Sequence, residues 1–352
     1  LNSALLNASI NGIKNIVEHS LYKDMLITIG APHLHNNILY NCAYMIFNGK
    51  ILGIVPKSYI PNYSEFYEKR WFTEGVNVID ETTSLPFQDN IPFGTNLIFT
   101  AGEARFGVEV CEDLWVTIPP SSYLALMGAN IIGNLSASNE LVSKADYRRA
   151  LVQNQSARSM CGYIYSSSGV HESSTDLLFS GHLLITENGT TLYENERFQR
   201  ESEIIYSIID LFKLKAERLK NLSFRDSSKI LYTEPQIINF SYDNTEILNF
   251  DRYIDKHPFV PSNEALRNER CKEIFNIQSS ALAKRFEHTK SQKAVVGISG
   301  GLDSTLALLV IVKTFKLLNF PMKNIVTITM PGFGTTDRTY NNAVTLCKEL
   351  GC

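Results

Sequence analysis

Seven consecutive residues, Ser299-Gly-Gly-Leu-Asp-Ser-Thr305, carry the most specific chemical signal in the chain. Paired glycines let backbone N–H groups come close to phosphate oxygens, and a helix starting there adds the positive end of its dipole. Ser299 and Ser304 can donate further hydrogen bonds to the same oxygens. Asp303 adds a carboxylate beside the anion, which makes sense where Mg2+ bridges the two. The lysine and the glycine spacing of a Walker A loop are missing, so this is a different kind of phosphate loop. The competing reading is a plain Gly-rich turn at a helix start.

A second centre lies in Phe106-Gly-Val-Glu-Val-Cys-Glu-Asp-Leu-Trp115, where Cys111 follows an apolar strand pattern. A thiol at such a turn faces a pocket, and nearby positive charge would make it nucleophilic. Taken alone, a cysteine after an apolar strand is more often core packing. Lys57 ends another strand pattern and opens the irregular stretch Pro56-Lys-Ser-Tyr-Ile-Pro-Asn-Tyr63. A single lysine there would usually be solvated.

The elements that must position these groups alternate between strand and helix up to about residue 190. Residues 1–17 have apolar positions at roughly helical spacing, with no cap and no strand before them, so the chain is expected to open inside a helix. Strands are expected at 25–29, 43–47 and 51–55, the last two forming a hairpin around Asn48-Gly49. A second pair, 97–100 and 106–110, brackets Ala101-Gly102. Further strands are expected at 130–133, 163–167 and 182–186, with a helix over 140–160 and a turn at Asn188-Gly189. Hairpins mixed with helices favour an α/β layered domain. Residues 239–262 are polar, aromatic and Pro-bearing and read as a linker. A helix over 263–288, a strand at 294–298, a helix over 305–318 and a strand at 325–329 then start a parallel βαβ domain.

The Ser299–Thr305 loop resembles the pyrophosphate loop of the ATP pyrophosphatase superfamily, whose members release AMP from an adenylated intermediate. Met330-Pro-Gly-Phe-Gly334 matches a segment beside the nucleotide site of NAD synthetases. The Lys57 and Cys111 segments together resemble the nitrilase superfamily, which uses a Glu-Lys-Cys set, and in wording the glutaminase domain of glutamine-dependent NAD synthetases. Asn134-Leu-Ser-Ala-Ser138, Ser173-Ser-Thr-Asp176 and His257-Pro-Phe-Val-Pro261 extend that likeness over nearly the whole chain. It implies a nitrilase-like α-β-β-α sandwich over residues 1–238, a linker over 239–262, and the first part of a Rossmann-like parallel α/β ATP pyrophosphatase domain over 263–352.

By the same resemblance Cys111 attacks the side-chain amide of glutamine and Lys57 stabilises the oxyanion. Tyr63, Ser138 and Lys144 match the family positions that hold glutamine, Lys144 being suited to an α-carboxylate. Glu112 is placed near the α-ammonium, with a merely structural role equally open. Glu68 resembles a second glutamate beside the lysine. The family's general base lies on a Pro-Glu loop ahead of the first helix, so no residue of this chain is assigned to it, Glu65 and Glu109 included. ATP is expected on Gly297 and Ile298 and on the loop Ser299, Gly300, Gly301, Leu302, Asp303 and Ser304, with Asp303 as the Mg2+ ligand. The implied reaction is amidation of the deamido dinucleotide to NAD with ammonia from glutamine. A homo-oligomer is expected of the full-length enzyme. So short a second domain is expected to leave Val295, Ile298 and residues 325–328 partly open, and the 352-residue polypeptide to be poorly stable and to make no NAD.

Bulk properties limit the rivals. A length of 352 residues fits two domains. A net charge of −3 with no basic run offers no field for nucleic acid or acidic membrane. The apolar run over 306–312 is far short of the ~20 residues a membrane-spanning helix needs. Six scattered cysteines without a C-x-x-C pair read as reduced thiols in a cytoplasm rather than a zinc site or disulfide frame. GMP and asparagine synthetases also feed glutamine nitrogen to an ATP pyrophosphatase, but their glutaminase folds differ and neither fits the Lys57 and Cys111 segments. A non-catalytic remnant is the remaining alternative.

Overall fold

A computed structural model describes residues 2–172, 176–231, 233–242, 252–332 and 336–352. Ser173 to Thr175 and Phe333-Gly334, both quoted above, lie outside the described residues. The chain forms two compact units, Leu1–Arg252 and Tyr253–Cys352.

Two sheets build the first unit. One contains β1 (Ile27–His35), β2 (Ile38–Phe47), β3 (Lys50–Pro56), β4 (Glu81–Leu85) and β5 (Gln88–Phe93), in the order β1-β2-β3-β5-β4. The other contains β6 (Leu97–Ala101), β7 (Ala104–Val110), β8 (Ile131–Ser136), β9 (Gly162–Ser167), β10 (Leu183–Glu187), β11 (Thr190–Glu194) and β12 (Gln236–Asn239), in the order β11-β10-β9-β8-β7-β6-β12. Within it β7, β8 and β9 are parallel, so their carboxyl ends lie at one edge.

Strand alternation decides the layering, because successive side chains point to opposite faces. On β2, Cys42, Tyr44 and Ile46 face out and pack with Ile13 and Val17 of α1 (Ser3–His19). Ala43 and Met45 face in, against Leu97, Phe99, Val108 and Val110 of the other sheet. The sheets meet closely at Gly53, where a Cβ would lie 2.9 Å from both Leu97 Cδ1 and Phe99 Cε1. The outer face of the second sheet is covered by α2 (Pro120–Leu126) and α3 (Lys144–Ser159), through Leu124 and Val152 against Ile98, Ile132, Tyr163 and Leu184. This is the expected α-β-β-α sandwich. Two short helices, α4 (Leu211–Lys220) and α5 (Leu222–Ser227), follow. β12 then adds in parallel to β6, and Arg252 is bonded to Glu187.

Several element readings are corrected. Asn2 caps α1 through its side chain, accepting from the Leu5 N–H at 2.8 Å, and Leu5 and Ile16 are exposed while Ile13 and Val17 are the buried pair. α3 begins at Lys144 rather than at 140, because residues 140–143 form the turn that delivers Glu140 to a buried ion pair with Arg148. The β4–β5 hairpin and β12 were not expected.

The second unit contains α6 (Glu264–Thr289), β13 (Ala294–Gly297), α7 (Leu302–Leu317), β14 (Ile325–Ile328) and α8 (Asp337–Leu350), with the two strands parallel. Ile298, Ile325, Leu308, Phe315, Phe286 and Ala343 share its core. Val295, Val326 and Ile328 stay exposed, as expected, whereas Ile298 and Ile325 are buried against α7 and its neighbours. Among the described residues, no helix is long and apolar enough to cross a membrane.

Candidate active site

β7 ends at Val110, and the chain turns sharply at Cys111, whose φ is +51°. A left-handed residue here stops the strand and presents the partly buried thiol at the sheet edge, in a conformation costing ~1–3 kcal/mol for a residue with a Cβ. β3 ends at Pro56, and Lys57 follows with its side chain almost wholly buried. Its Nζ donates to Glu68 Oε2 at 2.9 Å, and its main chain is fixed by bonds from Lys57 N–H to Asn41 O and from Gly75 N–H to Lys57 O.

Lys57, Glu68 and Cys111 line one cleft of about 490 Å³. Its walls come from Gly30 to Pro32 on one sheet and from the carboxyl ends of β8 and β9, at Ser136 and Ser166 to Ser168, on the other. Ligands of parallel sheets gather at such strand ends. Glu68 is the one carboxylate among the described lining residues. Adjoining it, a hollow of about 210 Å³ shares Glu68 and Ala137 and includes Phe66, Trp71 and Asp176.

The remaining expected residues are not among those that line this cleft, although Glu112 follows Cys111 and Ser138 follows Ala137 in the chain. Tyr63 Oη donates to Glu112 at 2.9 and 3.0 Å to its two oxygens. Burial raises the Glu112 carboxyl against the opposing effect of that bond, and Glu112 lies within electrostatic reach of Lys57, Glu68 and Lys144. Lys144 donates to Asn139 Oδ1, Asn139 donates to Glu65 at 2.6 Å, and the ammonium sits 5.3 Å from the Trp115 ring centroid and 5.7 Å from that of Phe66. Burial and then the Arg148 charge lower its pKa, while the Glu65 carboxylate opposes them. Ser138 is buried, and its Oγ accepts from Arg148 Nη2 at 3.1 Å.

Residues 13–218, more than half of the chain, match the carbon-nitrogen hydrolase family model. The chain belongs to the carbon-nitrogen hydrolase family. Residues 274–352 match a second model, NAD synthase. Among curated relatives, the glutamine-dependent NAD(+) synthetase of Mycobacterium leprae is 37% identical over 362 residues, covering 100% of this chain and 52% of the relative. That of Mycobacterium tuberculosis is 36% identical over 358 residues with the same coverage. The chain thus spans about half the length of the curated relatives it matches. The crystal structure of a glutamine-dependent NAD(+) synthetase from Cytophaga hutchinsonii shares the fold, with a TM-score of 0.52 and 20% identity, over 100% of this chain and 54% of that one.

Two groups of this carbon-nitrogen hydrolase were missed from sequence. Asp113 is buried, and its carboxylate accepts from the N–H groups of Val110 and Tyr59, both at 2.9 Å, and of Ser58 at 3.4 Å. Burial and the Glu109 charge push it up to about 7. The available signal was a carboxylate at the third position after a strand end, where it can cap the turn. Arg148, wholly buried, ties Ser138 to Glu140 and His182. Nothing in the helical pattern of α3 marks it, since its partners lie on other elements.

In the second unit, the Ser299–Ser304 loop closes on itself: Ser299 and Ser304 hydroxyls lie 3.2 Å apart, and Gly301 N–H donates to Ser299 Oγ at 3.3 Å. Gly300 has φ +80°, and a Cβ there would meet Thr339 O at 2.3 Å. Gly301 caps α7 without any side-chain bond, so the helix N-terminus is open toward an anion. Leu302 and Asp303 are exposed in the first turn, and Gly297 and Ile298 lead into the loop from β13. Two hydroxyls, an uncapped helix end and one carboxylate suit a triphosphate with its Mg2+. No group of three or more candidate metal-ligating side chains occurs among the described residues.

Proposed function

We propose that the full-length protein carrying this chain makes NAD from its deamido precursor, with ammonia taken from glutamine. The observation that carries the reading is the cleft in which Lys57 and Glu68 meet Cys111 at strand ends of both sheets. Support for the synthetase half comes from the open phosphate loop on α7 and from the names of the relatives.

In this reading the Cys111 sulfur attacks the side-chain carbonyl carbon of glutamine. Negative charge then grows on the carbonyl oxygen, and the Lys57 ammonium, oriented by Glu68 and shielded from water, stabilises it. Collapse breaks the C–N bond, the nitrogen leaves as ammonia with the proton given up by the thiol, and a thioester remains, which water cleaves to glutamate and the free thiol. Tyr63 with Glu112 binds the α-ammonium of glutamine, and Lys144 binds its α-carboxylate. Ser138, oriented by Arg148, completes the head-group site. On the second unit, Ser299, Ser304 and the α7 N-terminus hold the ATP phosphates while the dinucleotide carboxylate takes AMP and pyrophosphate leaves. Ammonia then displaces AMP. Asp303 would hold Mg2+, which neutralises phosphate charge when bound. In these terms residues 1–238 are the glutaminase, 239–262 the linker and 263–352 the start of the synthetase.

The test uses the full-length protein with deamido-NAD, ATP and Mg2+, supplied with either amide-labelled glutamine or ammonium. Label should enter NAD from glutamine, and Cys111→Ala should lose that route while keeping the ammonium route. A Cys111→Ala enzyme that still consumed glutamine at the parent rate would overturn the reading.

A further inference from the structure

Lys57 and Cys111 belong to different sheets, so their separation is set by whatever joins the exits of β3 and β7. The bonds that fix Lys57 to Asn41 and Gly75 do not reach Cys111 or the strand that carries it. Asp113 does cross between them. One carboxylate oxygen accepts from Tyr59 N–H, two residues past Lys57, and the other from Val110 N–H, directly before Cys111, and more weakly from Ser58 N–H. Both strand exits are therefore held by one buried side chain.

We propose that Asp113 is the positioning residue that fixes the oxyanion-stabilising Lys57 against the nucleophile Cys111. The proposal rests on the glutaminase reading above. Asp113 touches neither substrate nor reacting atoms in that reading; it acts through the two backbones it joins. An ionised carboxylate suits the task because it only accepts and all three of its partners are donors, and the bonds from Val110 and Tyr59 favour that form against the upward push of burial and Glu109. An asparagine offers a single acceptor oxygen, so its NH2 group must face one of the N–H groups. Alanine leaves all three donors without a partner.

The experiment measures glutamine hydrolysis by the full-length protein for Asp113→Asn and Asp113→Ala. Rates are referred to the amount of Cys111 thiol that can be alkylated in the folded protein, and Cys111→Ala is the control. A misplacement near 1 Å costs on the order of 10²-fold, so kcat per titrated thiol should fall by about that factor in Asp113→Ala. Asp113→Asn should fall between Asp113→Ala and the parent. KM for glutamine should change much less than kcat, because Tyr63, Ser138 and Lys144 are not bonded to Asp113 and only Glu112 shares its turn, and ammonium-supported synthesis should persist. If both variants keep the parental kcat per titrated thiol, the proposal fails, whatever their melting temperatures. If neither variant folds, it fails also, since Asp113 is then needed for the fold alone. Retention of glutamine hydrolysis in Cys111→Ala would instead defeat the underlying glutaminase reading.

Discussion

Lys57 Nζ lies 2.9 Å from Glu68 Oε2, with the lysine side chain 1% exposed and the glutamate 28% exposed. A buried ammonium keeps its charge only where an anion compensates the lost hydration. Glu68 faces the cleft and can do this while leaving the remaining Lys57 protons for a substrate oxygen. Removing an oxyanion donor typically costs about 10²–10³-fold in kcat, so Lys57→Met should lose glutamine hydrolysis to that degree. Glu68→Gln should lose less, because the lysine remains in the cleft but loses the carboxylate that orients it. Measuring kcat for glutamine hydrolysis in both variants checks this; a Glu68→Gln rate identical to the parent would show that the pair does not position Lys57.

The Tyr63 phenol donates to both oxygens of Glu112, and half of the tyrosine is exposed at the rim. Tyr63→Phe removes the donor without removing the ring. A hydrogen bond to a charged group is worth about 1.5–3 kcal/mol, and rim exposure places this one at the lower end. KM for glutamine should rise roughly tenfold with kcat nearly unchanged. An unchanged KM would mean that Glu112 is held in place without the phenol.

How much of this was legible from sequence depends on where each partner lies along the chain. The β2–β3 hairpin was readable because Asn48-Gly49 adopts the positive φ angles its turn requires, between two apolar strands. The β4–β5 hairpin was not, since Glu81, Thr82, Asp89 and Asn90 dilute its apolar alternation to Thr83, Leu85, Ile91 and Phe93. β12 is four residues long and pairs with a strand almost 140 positions upstream, so no local pattern could reveal it. The same rule separates the site residues. Cys111, Lys57 and the Ser299 loop sit at strand ends that periodicity marks, whereas Arg148 and Asp113 are defined by partners from other elements. A buried charge inside an α-helix looks, in sequence, like any solvated one.

The turn at Cys111 stores strain that a glycine would release. With φ at +51°, alanine keeps the unfavourable Cβ while glycine removes it. Cys111→Gly should therefore be more stable to denaturant than Cys111→Ala by about 1 kcal/mol, and both should lack glutamine hydrolysis. Equal stabilities would indicate that the turn relaxes once the sulfur is gone.

Glu187 gives the first unit a defined acid sensitivity. Its side chain is wholly buried, and burial alone would raise its pKa. Bonds from Arg252, from the Asp210 N–H and from Lys213 outweigh that and hold it at about 2, below its ordinary 4.5. A carboxyl depressed by folding stabilises the fold above its unfolded pKa, and that contribution fades as the pH falls from about 4.5 through about 2. Glu187→Gln should thus be less stable than the parent at pH 7, by on the order of 2 kcal/mol. The two stability curves should converge over that acid window. Denaturant titrations across pH test this; a constant gap between the curves would assign the loss to packing rather than to the ionised carboxylate.

The Ser299–Ser304 loop allows a test that separates the two proposed reactions. Gly300 sits at φ +80° with its α-carbon turned toward Thr339 of α8, and a methyl group would fall 2.3 Å from the Thr339 carbonyl oxygen. That contact is with backbone, so the loop itself must shift, carrying Ser299 and Gly301 with it. Gly300→Ala in the full-length protein should raise KM for ATP and suppress NAD formation from glutamine and ammonium alike. Asp303→Asn alters only charge, so it should leave the loop in place and show its defect chiefly in the Mg2+ concentration needed for half-maximal synthesis. In both variants glutamine hydrolysis should continue, because Cys111 and Lys57 belong to the other unit. A Gly300→Ala enzyme with a parental KM for ATP would remove this loop from the nucleotide site and leave the Gly-rich segment as a structural turn.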